Sequence, residues 1–246
     1  MSSGVYTTGI ITVGAIPSEY VIPSGTLSIT ENGTHDVKDY ASVAVNVAGS
    51  GGGGSTDERF TQLITNTLTE VTDNTTTSIR TYAFYYATAL QTASLTAITA
   101  IPNYAFANSG VVTVNLPEAT GRMGNNAFQN CKSLVNVNIP KMTNTVNYAF
   151  SGCTALQKLD LSSNFAGFAG GASFNGCTAL TALILRRTSK IVTLGNANNF
   201  TNSAIANGTG YIYVPSALIE TYKTATNWVN HAAQFRTIED YPDICG

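Results

Sequence analysis

Short alternating runs of apolar and polar residues recur along most of the chain. One residue separates two apolar positions in each of the clearest runs: Val137/Ile139, Leu159/Leu161 and Leu183/Leu185. Alternation of this kind is typical of a strand with one buried face. Because the runs recur at similar intervals, the pattern predicts one strand per structural unit. Stacked side by side, these strands would form a parallel sheet.

Phenylalanine marks the same interval. The first four of these residues are spaced 22 apart, and two more follow after 24 and 26 residues: Phe84, Phe106, Phe128, Phe150, Phe174 and Phe200. Repetition at a period of roughly 20 to 50 residues is the signature of a solenoid, whose units stack to share one core. The phenylalanines are therefore predicted to line the wall opposite the sheet. The longer intervals predict loops at Phe165–Gly171 and Thr188–Asn196, and Gly110 lies where the second unit is one residue shorter.

The repeated motif is Ala-Phe-x-x-Cys-x-x-Leu-x-x-Leu-x-Leu, clearest at 126–140, 148–162 and 172–186. It resembles the bacterial surface-antigen (BspA-like) leucine-rich repeat, and the resemblance covers residues 79–214. The tail at 212–228 is similar to the usual C-terminal end of such arrays. This resemblance implies adhesion or display rather than catalysis. The predicted fold is mainly β with capping helices, a leucine-rich-repeat solenoid with a parallel sheet, preceded by a small β module.

Both ends of a solenoid need caps, because an open terminal unit exposes its core. Residues 56–78 are predicted to form an N-terminal helical cap, since Ser55 and Glu58 have capping-box spacing. Five apolar residues follow on one helical stripe: Phe60, Leu63, Ile64, Leu68 and Val71. Residues 215–246 are predicted to form a C-terminal helical cap that begins at Pro215 and is closed by Trp228.

Residues 1–48 form a separate predicted unit. Leu27–Thr30 and Ser42–Val47 alternate as strands, and Asn32-Gly33 is a turn signal. This segment resembles a short β module of bacteriophage virion and tail proteins, and that resemblance implies a virion anchor that contacts other virion proteins. Residues 49–55, Gly-Ser-Gly-Gly-Gly-Gly-Ser, predict a flexible hinge, either natural or engineered.

Composition narrows the possible functions. Charged residues make up only 11% of the chain, the net charge is −2, and no cluster of Lys and Arg occurs. A duplex nucleic-acid partner is therefore not expected, because it needs several cations on one face. Met1–Tyr20 lacks the basic start and apolar run of a secretory signal. No run of apolar residues is long enough to cross a bilayer, so no membrane insertion is expected.

Few residues suggest catalysis or metal binding. The two histidines, His35 and His231, lie outside any metal or triad motif, so no enzyme activity, cofactor or metal is predicted. Three cysteines hold one column of the repeat that elsewhere takes Ala or Ser: Cys131, Cys153 and Cys177. Packed thiols are favoured there, and a disulfide or a metal site is the alternative.

The outward positions of the predicted strands are the candidate ligand-binding face. Parallel stacking would place them in two adjacent columns: Thr92, Thr113, Asn136, Lys158 and Tyr211, and beside them Ser94, Asn115, Asn138, Asp160 and Tyr213, with Ala182 and Ile184 in the same columns. These polar side chains both donate and accept hydrogen bonds, which suits sugar hydroxyls or a polar protein surface. Their alternative role is to keep the sheet soluble. Tyr82, Tyr104 and Tyr148 share another register, as a second aromatic patch or as partly buried wall residues.

Together these expectations predict a non-enzymatic bacteriophage structural protein of a tail, baseplate or head fibre. It would assemble in the host cytoplasm, dock on other virion proteins through residues 1–48 and bind a bacterial surface polysaccharide or protein for host attachment. Two alternatives stay open, a bacterial cell-surface adhesin and an architectural decoration protein that stabilises the particle. Assembly into a homo-oligomer also stays open.

Overall fold

The computed structural model describes residues 69–74, 77–79 and 81–246, together with the backbone of four short strands nearer the N-terminus. These are β1 (Tyr6–Thr8), β2 (Ile11–Val13), β3 (Leu27–Ser28) and β4 (Asn46–Val47). β1 pairs with β2 and β3 pairs with β4, both antiparallel, with Leu27 opposite Val47. The predicted turn at Asn32-Gly33, the hinge at 49–55 and the helical stripe up to Leu68 lie outside the described residues.

Within the described part of the chain, twelve further strands build the solenoid. In chain order they are β5 (Glu70–Asp73), β6 (Thr92–Leu95), β7 (Thr113–Asn115), β8 (Gly121–Arg122), β9 (Asn136–Asn138), β10 (Met142–Thr145), β11 (Lys158–Leu161), β12 (Gly167–Phe168), β13 (Ala182–Leu185), β14 (Thr193–Leu194), β15 (Tyr211–Val214) and β16 (Phe235–Thr237). They form three parallel four-stranded sheets, which confirms the predicted solenoid. The first front sheet has the order β5-β6-β7-β9, the second front sheet β11-β13-β15-β16, and the side sheet β14-β12-β10-β8.

The side sheet corrects the two predicted loops. Residues 165–171 contain β12 and residues 188–196 contain β14, and the two strands pair in parallel. Both Phe165 and Phe168 are buried, with ring centroids 4.9 Å apart, and Phe168 also meets the Phe174 ring at 5.2 Å. The longer intervals therefore add apolar residues that thicken the core. The length of the interval alone predicts extra residues, but it does not show whether they form a loop or a strand.

The repeated phenylalanines line a third wall, here called the Phe wall. Their rings are fully buried and stack in one continuous column, with centroids 5.0–5.8 Å apart from Phe84 to Phe200. Main-chain hydrogen bonds join successive coils beside the rings; for example, the Phe128 N–H donates to the Ala149 carbonyl at 2.8 Å. The ring column runs unbroken past the point where the front wall divides into two sheets. The Phe wall is thus continuous from the first coil to the last, whereas the front wall is made of two separate sheets.

The cysteines are packed thiols, as the favoured interpretation predicts. All of them are free and buried. The Cys131 thiol donates to the Phe106 carbonyl at 2.9 Å, and Cys153 and Cys177 make the same contact one coil later each time, at 3.1 Å. Burial raises the pKa of Cys131 and of Cys177 to about 12, so these thiols stay protonated at neutral pH.

The N-terminal cap differs in part from its prediction. Glu70–Asp73 forms strand β5, with Val71 fully buried, so Val71 does not lie on a helix. β5 pairs in parallel with β6, and Val71 lies opposite Ala93. The physical reason is that this segment precedes β6 by one repeat period. Its backbone can therefore bond to the next coil, and this pairing outweighs helical periodicity.

The C-terminal segment covers the last coil. It runs through a 3₁₀ turn (Ser216–Leu218), helix α1 (Ile219–Thr224), a second 3₁₀ segment (Trp228–Gln234), strand β16 and helix α2 (Pro242–Cys245). The Trp228 ring is fully buried and lies 6.0 Å from the Phe200 ring, at the end of the column. Its indole N–H donates to the Val192 carbonyl at 2.7 Å. Trp228 therefore closes the core.

Gly110 is required for space rather than for an unusual backbone angle. Its φ lies outside the left-handed region, but a Cβ atom there would sit 2.1 Å from the Thr88 carbonyl oxygen. We expect Gly110→Ala to force the second coil away from the first. The free energy of unfolding should fall by about 1–3 kcal/mol, the usual cost of overpacking. Urea unfolding measures this, and an unchanged midpoint would contradict the close approach.

His231 makes the stability of the last coil depend on pH. It is buried with its ring centroid 5.0 Å from that of Phe200, and burial lowers its pKa below the ordinary value. The unfolded chain therefore binds the proton first as the pH falls. The contribution of neutral His231 to the free energy of unfolding is complete above about pH 6.5. It is lost as the pH falls through the lowered pKa of His231 in the folded protein.

We therefore expect urea midpoints to fall from pH 7.5 to pH 5.5, and His231→Gln to show a shallower decline. His35 is present in both proteins, so the difference between them isolates His231. Parallel pH profiles for the two proteins would refute this assignment.

Candidate functional site

Six of the ten predicted site residues form an open polar face on the first front sheet. Backbone pairing aligns Thr92, Thr113 and Asn136 in one column. A second column, formed by Ser94, Asn115 and Asn138, runs beside it. The strands alternate, so the residue between the two columns in each strand points into the core. The side chains of these six residues are half-buried or exposed.

Hydrogen bonds between coils hold these side chains in fixed orientations. The Asn138 amide donates to the Asn115 carbonyl oxygen at 2.7 Å, and the Asn115 amide donates to the Ser94 hydroxyl at 3.1 Å. In the other column the Asn136 amide donates to the Thr113 hydroxyl at 3.2 Å. Each amide nitrogen carries a second hydrogen beyond the one used here. The face is therefore a preorganised array of donors and acceptors.

Two residues of this face were missed by the sequence argument. Glu70 pairs with Thr92, and Thr72 pairs with Ser94, so β5 extends both columns by one coil. Glu70 and Thr72 were assigned to the predicted helical cap. The signal that could have found them is the period itself, because Thr92 lies 22 residues after Glu70. Glu70 is the only ionisable side chain among the outward positions of these four strands.

The other four predicted site residues lie on a sheet that the C-terminal segment covers in part, with Lys158 still exposed and Tyr213 buried. Lys158, Asp160, Tyr211 and Tyr213 lie on the second front sheet, in register with Ala182 and Ile184. The chain after β16 folds back over this sheet and forms a second, smaller apolar cluster with it. The cluster contains Ala182, Ile184, Tyr213 and Cys245, with Tyr211, Ile238 and Ile244 packed against it. Tyr213 is only 3% exposed, which corrects its prediction as a ligand-binding residue.

Charged side chains fasten this C-terminal segment. The Lys158 ammonium donates to the Ile244 carbonyl at 2.5 Å. Arg186 donates to both oxygens of the Asp160 carboxylate at 2.6 and 2.8 Å, and also to the Cys245 carbonyl. The Asp160 contact raises the pKa of Arg186. A cation near the C-terminal carbonyls of a helix is stabilising. The contacts of Lys158 and Arg186 with the last carbonyls of α2 therefore hold this helix against the second front sheet. Lys158 and Asp160 therefore have a structural role.

Within 69–74, 77–79 and 81–246 no three His, Cys, Asp or Glu side chains come together as metal ligands would. Over the same part of the chain, no helix has the length and apolar character needed to cross a bilayer.

Known proteins provide a comparison for this fold and face. Residues 77–207 match the family described as "BspA type Leucine rich repeat region", in six copies. No protein of curated function matches the chain significantly.

Two solved structures are similar to part of the chain. A leucine rich cell surface protein from Faecalibacterium prausnitzii is 18% identical with a TM-score of 0.43, over 67% of this chain and 50% of that one. A leucine-rich repeat protein from Bacteroides ovatus is 15% identical with a TM-score of 0.30, over 61% and 56% respectively. This chain thus spans about half the length of each of these two proteins. Because the family match covers more than half of its residues, the chain belongs to the BspA-type leucine-rich repeat family.

Proposed function

We propose that this chain is a non-enzymatic recognition protein displayed on a bacterial cell surface. Its contact surface is the open face of β5, β6, β7 and β9, and its ligand is a surface polysaccharide or protein. One observation carries the proposal. The two front sheets have the same architecture, yet among the described residues the C-terminal segment packs on the second sheet, whereas the side chains of the polar columns on the first sheet are half-buried or exposed.

The geometry of the open face supports binding. Asn115 and Asn138 are already held by hydrogen bonds, so a ligand pays less conformational entropy to engage them. The strands offer hydroxyl and amide groups at regular intervals, which suits a ligand that itself repeats. Individual contacts of this kind are weak. Display of many copies on one surface would raise the effective affinity through avidity.

Substitution of a bulky charged residue at the centre of the open face tests whether this face binds the ligand. Fluorescently labelled protein is mixed with intact cells of the source bacterium and of other bacterial species from the same habitat. Binding is measured by flow cytometry. Asn115→Arg combined with Asn138→Arg should weaken binding at least about tenfold, or ~1.4 kcal/mol. Asn164→Arg places the same group at an exposed turn outside the face and should bind as the unaltered protein does. Equal binding by all three proteins would reject the face.

The virion role is a second candidate, and residues 1–48 favour it. Their resemblance to a phage β module and the antiparallel pair β3–β4 fit a docking unit that contacts other virion proteins. Mass spectrometry of purified phage particles from the source bacterium tests this against surface labelling of intact cells. Finding the chain only on cells excludes the virion role. If particles contain it, deletion of residues 56–246 separates attachment, where adsorption is lost, from architecture, where particles become fragile.

A further inference from the structure

Four tyrosines form an exposed cluster on the Phe wall of the first two coils. Tyr82 and Tyr104 stack with ring centroids 4.9 Å apart. Tyr85 meets the Tyr82 ring edge-on at 5.2 Å and the Tyr86 ring edge-on at 4.5 Å. Tyr82 is 46% exposed and Tyr86 is 47% exposed, while the other two are half-buried. We call this cluster of Tyr82, Tyr85, Tyr86 and Tyr104 the tyrosine patch.

The other coils provide an internal reference for these positions. Two residues after each repeated phenylalanine the backbone has a positive φ, and the later coils place only Asn or Gly there: Asn108, Asn130, Gly152, Gly176 and Asn202. Asn and Gly are the residues that tolerate this conformation. The first coil instead has Tyr86 at φ 58°, and Tyr82 and Tyr104 also have positive φ. A bulky aromatic residue is a poor choice for this backbone.

Strain of this kind points to a use outside folding. The Tyr86 ring is largely exposed, so it gains little from burial in the core. Tyr82 lies two residues before its phenylalanine, at a positive-φ position where tyrosine recurs at Tyr104 and Tyr148. The exception of the first coil is therefore Tyr86, which takes an unfavourable residue at one outward position and extends the aromatic surface there. Residues held in sparsely populated backbone regions cluster at ligand-binding sites.

We propose that the tyrosine patch is a second binding site, separate from the open strand face, and that it binds a neutral glycan. The flat faces of exposed rings suit the C–H face of a pyranose, and each phenol can donate and accept a hydrogen bond to sugar hydroxyls. The described outward neighbours are uncharged, among them Thr81, Thr88, Asn103 and Asn108. Stacking of a phenol ring on the C–H face of a sugar needs no ionic partner, so an uncharged polymer is the ligand that we propose.

Affinity electrophoresis tests this proposal on the full chain. Native gels contain mixed-linkage β-glucan, galactomannan, hydroxyethyl cellulose or starch, and a separate gel contains the anionic polymer polygalacturonate. We expect at least one neutral polymer to retard the protein. The double variant Tyr82→Asn/Tyr86→Asn should lose the retardation, with at least tenfold weaker binding. The same variant should unfold at a higher urea concentration, because Asn suits the positive φ better than Tyr does.

Tyr148→Asn is the matched control. Tyr148 has a φ of 57° and is 43% exposed, but no aromatic ring stands beside it in the described part of the chain. This variant should also gain stability, yet it should be retarded like the unaltered protein. The proposal is overturned if no neutral polymer retards the protein, if only polygalacturonate does, or if the double variant still binds. The double variant Asn115→Arg/Asn138→Arg should bind these polymers as the unaltered protein does. Loss of binding at the open strand face is therefore distinguishable from loss of binding at the tyrosine patch.

Discussion

Replacing Phe128 with alanine is expected to lower the free energy of unfolding by about 3–5 kcal/mol. Phe128 is fully buried in the middle of the ring column, 5.1 Å from the Phe106 ring and 5.4 Å from the Phe150 ring. Alanine would leave a cavity between two rings that the adjoining sheets hold apart. Typical domains have only about 5–15 kcal/mol of stability in total. Urea unfolding followed by circular dichroism measures the loss.

Two further variants separate this cavity from a general effect of substitution. Phe128→Leu keeps most of the apolar volume and should cost clearly less than Phe128→Ala. Val135→Ala changes a residue of the same coil that is 39% exposed and should alter stability by no more than about 0.5 kcal/mol. If Phe128→Ala and Val135→Ala had similar effects, the ring column would not be the main source of stability.

Replacing Trp228 with alanine is the second large effect, again expected at about 3–5 kcal/mol. The indole packs against Phe200, Phe168 and Tyr222, with ring centroids 5.6–6.3 Å apart. Its loss exposes the end of the ring column and leaves the Val192 carbonyl without the indole donor. Because repeats of a solenoid are stabilised by their neighbours, the damage should be greatest in the last coil.

Hydrogen exchange distinguishes this local effect from global unfolding. In Trp228→Ala, amides of β15 and β16 should exchange faster, whereas those of β6 and β7 should change much less. Trp228→Phe retains an aromatic ring but leaves the buried Val192 carbonyl without its donor, so it should cost about 1–3 kcal/mol beyond any packing change. Uniformly faster exchange along the whole chain would contradict a capping role.

Local periodicity was enough to predict the solenoid. The 22-residue spacing of phenylalanines and the alternating runs both follow from stacking, since each coil must place a ring and a strand at the same height. The same period predicted both polar columns of the first front sheet, the one that begins at Thr92 and the one that contains Asn115 and Asn138. Residues 70–73 were missed because a short segment with apolar residues at helical spacing also fits a capping helix.

The sequence by itself therefore determined the repeat, its ring column and most of the residues that face outward from the front strands. Only the tertiary structure decided which of those outward residues remain open. The C-terminal segment returns to Tyr213 and Lys158 from far along the chain, and no local pattern encodes a contact between such distant residues. The repeat period also placed Tyr82 in register with Tyr104, but only the tertiary structure brought the Tyr85 and Tyr86 rings to the same patch.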